Sequence, residues 1–346
     1  PDLLARVTVQ TCRQPGLSVV YQELLDFGGD EIFFKQEPAL AGKTFGDVLG
    51  LYPDSSVIGL RQADGAIRLN PPMNTVLGAA DAIIAISEDD DTLVASPTAA
   101  EFAADAIVAD AKARPPQPES TLILGWNDNA PIILRELDQY VDAGSRVRVV
   151  AELPGGVEAA RANCPPTSRL EIDLSAGDTT DRPTLDRLDI PSFDHVILLS
   201  PQLDDGHEDE QRADARTLVT LLHLRDIGEK SGRRFSIVSE MLDIRNRALA
   251  EVTRADDFIV GDQLASLLLT QISENKELNA VFSDLFDPAG SEIYLKPASD
   301  YVRLGREVSF STLVESARRR GEIAIGASQA SEIVGQPNVQ IGRASC

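Results

Sequence analysis

Two distant stretches of this chain are copies of one another, and that repetition limits the folds open to it more than any other feature. "LLARVTVQTCRQPGLSVVYQELLDFGGDEIFFK", from Leu3, aligns without a gap on "LASLLLTQISENKELNAVFSDLFDPAGSEIYLK", from Leu264. Gln10 falls on Gln271, Leu17 on Leu278, Leu24 on Leu285 and Asp26 on Asp287. Gly29, Glu31, Ile32 and Lys35 fall on Gly290, Glu292, Ile293 and Lys296. With small gaps the match continues through Phe45 on Phe310 and Ile58–Gly59 on Ile325–Gly326. Such self-similarity means one supersecondary unit used twice. Each copy reads as two helices, a strand and a short α/β lobe. Leu3, Leu4 and Val7 mark the first helix, and Val19, Val20, Leu24 and Leu25 the second, with the Pro-Gly of "RQPG" turning the chain between them. A strand at Phe33–Phe34, a helix near Phe45 to Leu49, and strands around Ile58 and from Asp81 to Ile86 complete the first copy.

Between the copies the pattern changes to alternating strands and helices. Strands are expected at Thr121 to Leu124, "RVRVVAE", "RLEIDLS", "HVILLS", "FSIVSEM" and "DDFIVG". Helices fit Pro131 to Val141, with Ile132, Ile133 and Leu137 on one side, "RADARTLVTLLHLRDI" and "IRNRALAEV". Near-continuous apolar strands alternating with helices imply a parallel sheet covered on both faces. The fold class is therefore α/β: a Rossmann-like parallel sheet flanked by two copies of a helical crossover plus a small α/β lobe. The expected boundaries are 1–94 for the first crossover and lobe, 95–119 for an Ala/Pro-rich linker, 120–262 for the sheet and 263–346 for the second crossover and lobe. If the repeating unit is sheet plus lobe, a first sheet is expected upstream of Pro1. The second copy shows no match to the strand from Asp81 to Ile86, so the chain reads as a piece of a longer one.

The bulk numbers exclude several classes. A length of 346 residues suggests two or three domains. No apolar run approaches the roughly 20 residues that cross a bilayer, since the longest, Thr75 to Ile86, is interrupted by Gly78 and Asp81. The net charge of −23 argues against nucleic acid and anionic lipid, which need a basic footprint, and suits cation binding or plain solubility. Cys12, Cys164 and Cys346 fit neither a disulfide framework nor a zinc spacing, which points to a reducing compartment. No nucleophile elbow or Cys–His arrangement stands out, so an enzyme is not expected.

The stretch "LILGWNDNAP" sits where a nucleotide-binding fold places its phosphate loop. A dinucleotide loop needs one glycine for the turn, a second to admit the pyrophosphate and a third for helix packing. Gly125 supplies the first and Ala130 can serve as the third, but the second place is Asn127, whose side chain would fill the phosphate space. Asp128 is expected to cap the following helix in the phosphate's stead. Glu152, ending the second strand, is where an adenosine ribose would bind, so Gly125, Trp126, Asn127 and Glu152 form a candidate adenosine-type site, while NAD itself is not expected. The expected carboxyl ends of the strands carry Asp128, Glu152, Asp173, Asp204, Asp205 and Glu240. Together with Asp89, Asp90 and Asp91 of "SEDDDT", these are candidate Ca2+ ligands, because calcium takes six to eight oxygens in flexible geometry. The bland alternative is that they cap helices and face solvent. The acidic loop around His207 lacks the spacing of an EF-hand, and neither His195 nor His223 has a spaced partner in sequence.

"CRQPGL", "SEDDDT", "LILGW", "ADARTLVTLLHLRDI", "VSEMLDIRNRAL" and "ARRRGEIAIG", in this order, resemble the cytosolic part of CASTOR/POLLUX-type ion channels. The resemblance implies tandem RCK domains, four subunits forming a gating ring beneath a transmembrane pore at the cytoplasmic face of a membrane, and calcium as ligand. It also implies that the pore and a first Rossmann-like subdomain precede this segment. Carried over by position are Arg13 to Leu17, Glu88 to Thr92, Gly125–Trp126, Asp214, Arg216, Glu240, Asp243 and Arg245. "NDNAP" departs from the family, whose plant members carry basic residues there. In this reading the apolar crossover positions Leu3, Leu4, Val7, Val20, Leu24, Leu264, Leu267, Leu268 and Leu285 are candidates for subunit packing. Two alternatives stay open: a nucleotide-binding regulatory subunit of a potassium uptake system, and a Rossmann-type oxidoreductase.

Overall fold

The computed structural model describes residues 2–109, 117–153, 155–201, 210–233, 235–246, 249–250, 257–287, 289–329 and 338–341. From the N-terminus the elements are α1 (Asp2–Arg13), α2 (Leu17–Leu25), β1 (Glu31–Gln36), α3 (Phe45–Val48), β2 (Ser56–Arg61), β3 (Ile67–Leu69) and β4 (Ala82–Ser87). Then come β5 (Ser120–Leu124), α4 (Ala130–Tyr140), β6 (Ser145–Ala151), α5 (Gly156–Ala162), β7 (Leu170–Ala176), α6 (Arg182–Asp186), β8 (His195–Leu198), α7 (Glu210–Ser231), β9 (Ser236–Met241) and β10 (Asp257–Val260). The second copy contributes α8 (Gly261–Glu274), α9 (Leu278–Leu285), α10 (Phe310–Arg318), β11 (Gly326–Gln329) and β12 (Asn338–Ile341). The chain divides into two compact units, Pro1–Ser18 with Pro115–Leu269, and Val19–Arg114 with Thr270–Cys346.

The first unit is built on a six-stranded parallel sheet of order β10-β9-β8-β5-β6-β7. This is the strand order of a dinucleotide-binding fold, reversing direction between β5 and β8. Leu122, Ile123 and Leu124 are all fully buried, as a strand covered on both faces must be. Leu122, Leu124, Val196 and Leu198 share a core with Leu221 and Leu224 of α7. On α4 the buried residues include Ile133, Leu134 and Leu137, each worth about 1.5–3 kcal/mol of burial, whereas Ile132 is half-exposed. Of the segment "IRNRALAEV", residues 247–248 and 251–252 lie outside the described residues; Ile244–Asn246 form a single turn and residues 249–250 are helical.

Helix α1, which opens the first repeat copy and was grouped with 1–94, packs against α4 and the strands β8, β9 and β10. Its anchors are specific. Gln10 Nε2 donates to Tyr140 Oη at 2.9 Å, Ser236 Oγ donates to the Cys12 carbonyl at 3.1 Å, and Arg13 forks onto Glu119 at 2.8 and 3.0 Å. Val7, Val20 and Leu24 are at most 3% exposed within the single chain, and Leu264 and Leu285 are also buried. These five are therefore used inside the chain and are not subunit-packing residues; Leu3, Leu4, Leu267 and Leu268 are half-buried.

The second unit holds the lobes. Its antiparallel sheet has the order β1-β4-β2-β3, with Phe45, Leu60, Ile83 and Leu93 in its core. The repeat is visible in detail at one turn. Asp26 Oδ1 accepts from the Gly28 amide, and the aligned Asp287 Oδ1 accepts from the Ala289 amide. Gly29 and Gly290 both donate back to those aspartates' carbonyls, at 3.1 and 2.8 Å. A Cβ on either would crowd a carbonyl six residues earlier, Glu23 O at 2.8 Å and Asp284 O at 2.1 Å, so only glycine fits. The copies part company afterwards. β1 pairs with β4, but the aligned Glu292–Lys296 segment is not in a strand, since no β4 counterpart runs beside it among the described residues. Instead β11 pairs with β12.

Candidate functional site at the sheet switch point

The crevice where strand order reverses is closed by its own side chains. Gly125 ends β5 with φ of +101°, and a Cβ there would lie 2.3 Å from the Leu199 carbonyl, so the turn requires glycine. Trp126 is 7% exposed and packs inward. Asn127 turns back on itself: its Oδ1 accepts from the Asn129 amide at 3.0 Å. Its Nδ2 donates to the Ser200 carbonyl at 3.0 Å and to Glu240 Oε2 at 2.7 Å. Glu240 is completed by the Ser200 amide at 3.0 Å on the same oxygen and by Asn129 Nδ2 at 3.1 Å on the other. The loop after β5 is thus tied to the ends of β8 and β9 through one buried carboxylate. Burial raises the Glu240 pKa and the nearby Asp214 charge adds to this, against the pull of the three donors.

The neighbouring acid is committed as well. Glu152 Oε2 accepts from Arg216 on α7 at 2.6 Å, and Arg216 reaches Asp178 at 3.3 Å. What remains open between Gly125, Trp126, Glu152, Arg216 and Thr217 is about 30 Å³, one water's share of volume, where small-molecule pockets run to roughly 300–1,000 Å³. One loop further, Asp214 is fully buried and accepts from the amides of Leu242 and Asp243 and from Asn246 Nδ2. Asp243 in turn holds Arg245 and Gln211, and chiefly the Arg245 hydrogen bonds hold the Asp243 carboxyl down at about 2.

Several expectations change. Asp128 is exposed and is not the cap of α4: the N-cap position is Asn129, one residue further on, and its side chain makes no capping bond. Asp173 is not at a strand end: β7 continues to Ala176, and Asp173 stands mid-strand beside Arg148 at 3.6 Å. Asp89, Asp90 and Asp91 belong to the other unit, in an exposed turn after β4 closed on itself, with the Asp90 amide on Asp89 Oδ1 at 2.7 Å and Thr92 Oγ1 on the Asp89 carbonyl at 2.8 Å. Asp204, Asp205 and His207 lie outside the described residues. Among the described residues no three His, Cys, Asp or Glu side chains gather into a group that could hold a metal ion.

Sequence reading also missed a cluster at the opposite, amino-terminal end of the sheet. Glu119, assigned to the linker, sits 3.5 Å from His195 Nε2 while holding Arg13. Burial pushes its carboxyl up, but hydrogen bonds from His195 and Arg13 outweigh this and hold it at about 2. Nothing in the sequence signals this meeting of three segments. Asn127, by contrast, was singled out in the sequence, whereas its partner Asn129 was not.

Residues 1–103 match the sequence family described as Castor and Pollux, part of voltage-gated ion channel. The chain is 29% identical over 384 residues to the ion channel CASTOR of Lotus japonicus, covering 99% of this chain and 44% of that protein. It is 29% identical over 359 residues to the probable ion channel POLLUX of Arabidopsis thaliana, covering 94% and 43%. The chain thus spans less than half the length of these relatives. Among solved structures, that of the human SLO3 gating ring superposes with a TM-score of 0.68 at 13% identity, covering 99% of this chain and 72% of that one; at this identity the likeness is one of fold. No helix among the described residues is long and apolar enough to cross a membrane.

Proposed function

We propose that this chain, which is similar over most of its length to CASTOR- and POLLUX-type ion channels, forms the ligand-sensing, gating-ring region of a cation channel on the cytosolic side of a membrane. In this reading four copies form a ring, and a first Rossmann-like subdomain and a pore belong to the same protein. The observation that carries the reading is the lock at the switch point. Asn127 and Asn129 fill the space a dinucleotide would use and tie the β5–α4 loop to β8 and β9 through Glu240. A crevice held shut by its own side chains suits a regulatory sheet with two loop arrangements better than a redox site. A ligand favouring the released loop would shift the ring's equilibrium, and a coupling of about 1–3 kcal/mol gives a 5–150-fold bias between states.

Calcium is the ligand proposed for the acidic surface. Glu240 and Glu152 do not fit it as they stand, being committed to asparagines and to Arg216. The test is single-channel recording from the channel that contains this chain, with Asn127→Ala. The expected result is a changed open probability at unchanged unitary conductance, with the variant chain retaining its circular dichroism. An unaltered open probability, or an altered conductance, overturns the reading.

A further inference from the structure

The switch-point crevice is nearly filled, but the unit formed by Val19–Arg114 and Thr270–Cys346 contains a cavity of about 380 Å³ between α3 and α10. That size lies within the range of small-molecule sites. Its two main walls are related by the repeat, because Phe45 opens α3 where Phe310 opens α10. Phe45 is fully buried, whereas Phe310 is half-buried and faces the cavity. Leu49, Leu51, Phe102 and Val314 supply the rest of an apolar lining. The third wall, a strap through Pro97 and Phe102, is held by backbone bonds. The Ser96 amide donates to the Leu51 carbonyl at 2.7 Å and the Ala100 amide to the Gly50 carbonyl at 2.9 Å. Ser311 Oγ donates to the Glu101 carbonyl at 2.6 Å and the Ala103 amide to Thr312 Oγ1 at 3.1 Å, joining strap to α10.

Charge at the rim decides what such a cavity would select. Glu315 is saturated by guanidinium, accepting from Arg318 at 2.6 and 3.0 Å and from Arg319 at 2.8 Å. Asp47 accepts from Thr44 Oγ1 at 2.6 Å and from the Thr44 amide in the capping box of α3. Lys43 also lines the cavity, is exposed, and makes no side-chain hydrogen bond or ion pair among the described residues. The three cations Lys43, Arg318 and Arg319 face the two carboxylates Asp47 and Glu315, which leaves one positive charge in excess at the rim, with Arg318 and Lys43 both close enough to act on Asp47.

We propose that this cavity binds a small amphipathic carboxylate, its apolar body between Leu49, Phe310 and Val314 and its anionic group at Lys43. The proposal goes beyond the gating-ring reading and stands apart from it, since no residue of the sheet crevice takes part. Isothermal titration of the full chain with sub-micellar decanoate, and with decanol as the neutral comparison, tests it. Expected are one saturable decanoate site, weaker decanol binding, and a loss of about fivefold or more in decanoate affinity in Lys43→Gln with decanol unchanged. Val314→Trp, which fills the cavity, abolishes both. Decanol binding as tightly as decanoate, an unchanged decanoate affinity in Lys43→Gln, persistence of binding in a folded Val314→Trp, or no saturable binding to the unsubstituted chain would each overturn it.

Discussion

Glu240 shows how much a single residue's meaning depends on its surroundings. As a letter near a strand end it is a candidate calcium ligand; in the fold it is 9% exposed and accepts three hydrogen bonds. Each buried donor left unsatisfied costs about 1–3 kcal/mol. Glu240→Ala is therefore expected to destabilise the chain by on the order of 3 kcal/mol in urea unfolding, and a loss below about 1 kcal/mol would mean the lock is not formed. Its pH behaviour has a definite sign. Burial raises the folded-state pKa above the ordinary 4.5, so the folded chain binds the proton more tightly. Stability then rises as pH falls from the raised value toward 4.5, and Glu240→Gln removes that rise.

At the scale of elements, α1 is the informative case. Its apolar spacing announces a helix, but its attachment to the sheet runs through Arg13, Glu119 and His195, which come from three separate segments. Glu119 is held at about 2 against an ordinary 4.5, a depressed carboxylate. Its contribution is complete above the unfolded value and disappears as pH falls through the folded one. Melting temperatures measured between pH 5 and 2 are expected to drop more steeply for the unsubstituted chain than for Glu119→Gln. At neutral pH the same substitution is expected to speed amide exchange in α1 with little change in β5 or β6; uniform protection in α1 would show that the ion pair does not hold it. The lobes carry the complementary lesson. The Asp26–Gly29 and Asp287–Gly290 turns match because local backbone geometry demands the same residues, while β1 and Glu292–Lys296 differ because a strand needs a neighbour.

For the whole molecule, the excess of acid is the controlling quantity. A net charge of −23 repels itself, and screening over a Debye length of about 8 Å at 0.15 M salt relieves that repulsion. The melting temperature is expected to rise with sodium chloride from low to physiological ionic strength. A ligand that binds only the folded chain adds about 2.7 kcal/mol at a hundredfold excess over its dissociation constant. If calcium is a ligand, it will raise the melting temperature beyond magnesium and sodium at matched ionic strength; coincident curves would end that proposal.

The repeat, the alternation of strand and helix, and the missing second glycine were all determined by the sequence, because each depends on local spacing and on what a backbone turn can accommodate. Which acids are available to a ligand was decided only by the tertiary structure. Glu152 meets Arg216 across 64 positions and Asn127 meets Glu240 across 113, because parallel strands bring distant loops to one rim. A carboxylate's charge is written in its residue type, but whether that charge is already neutralised depends on which strands lie side by side.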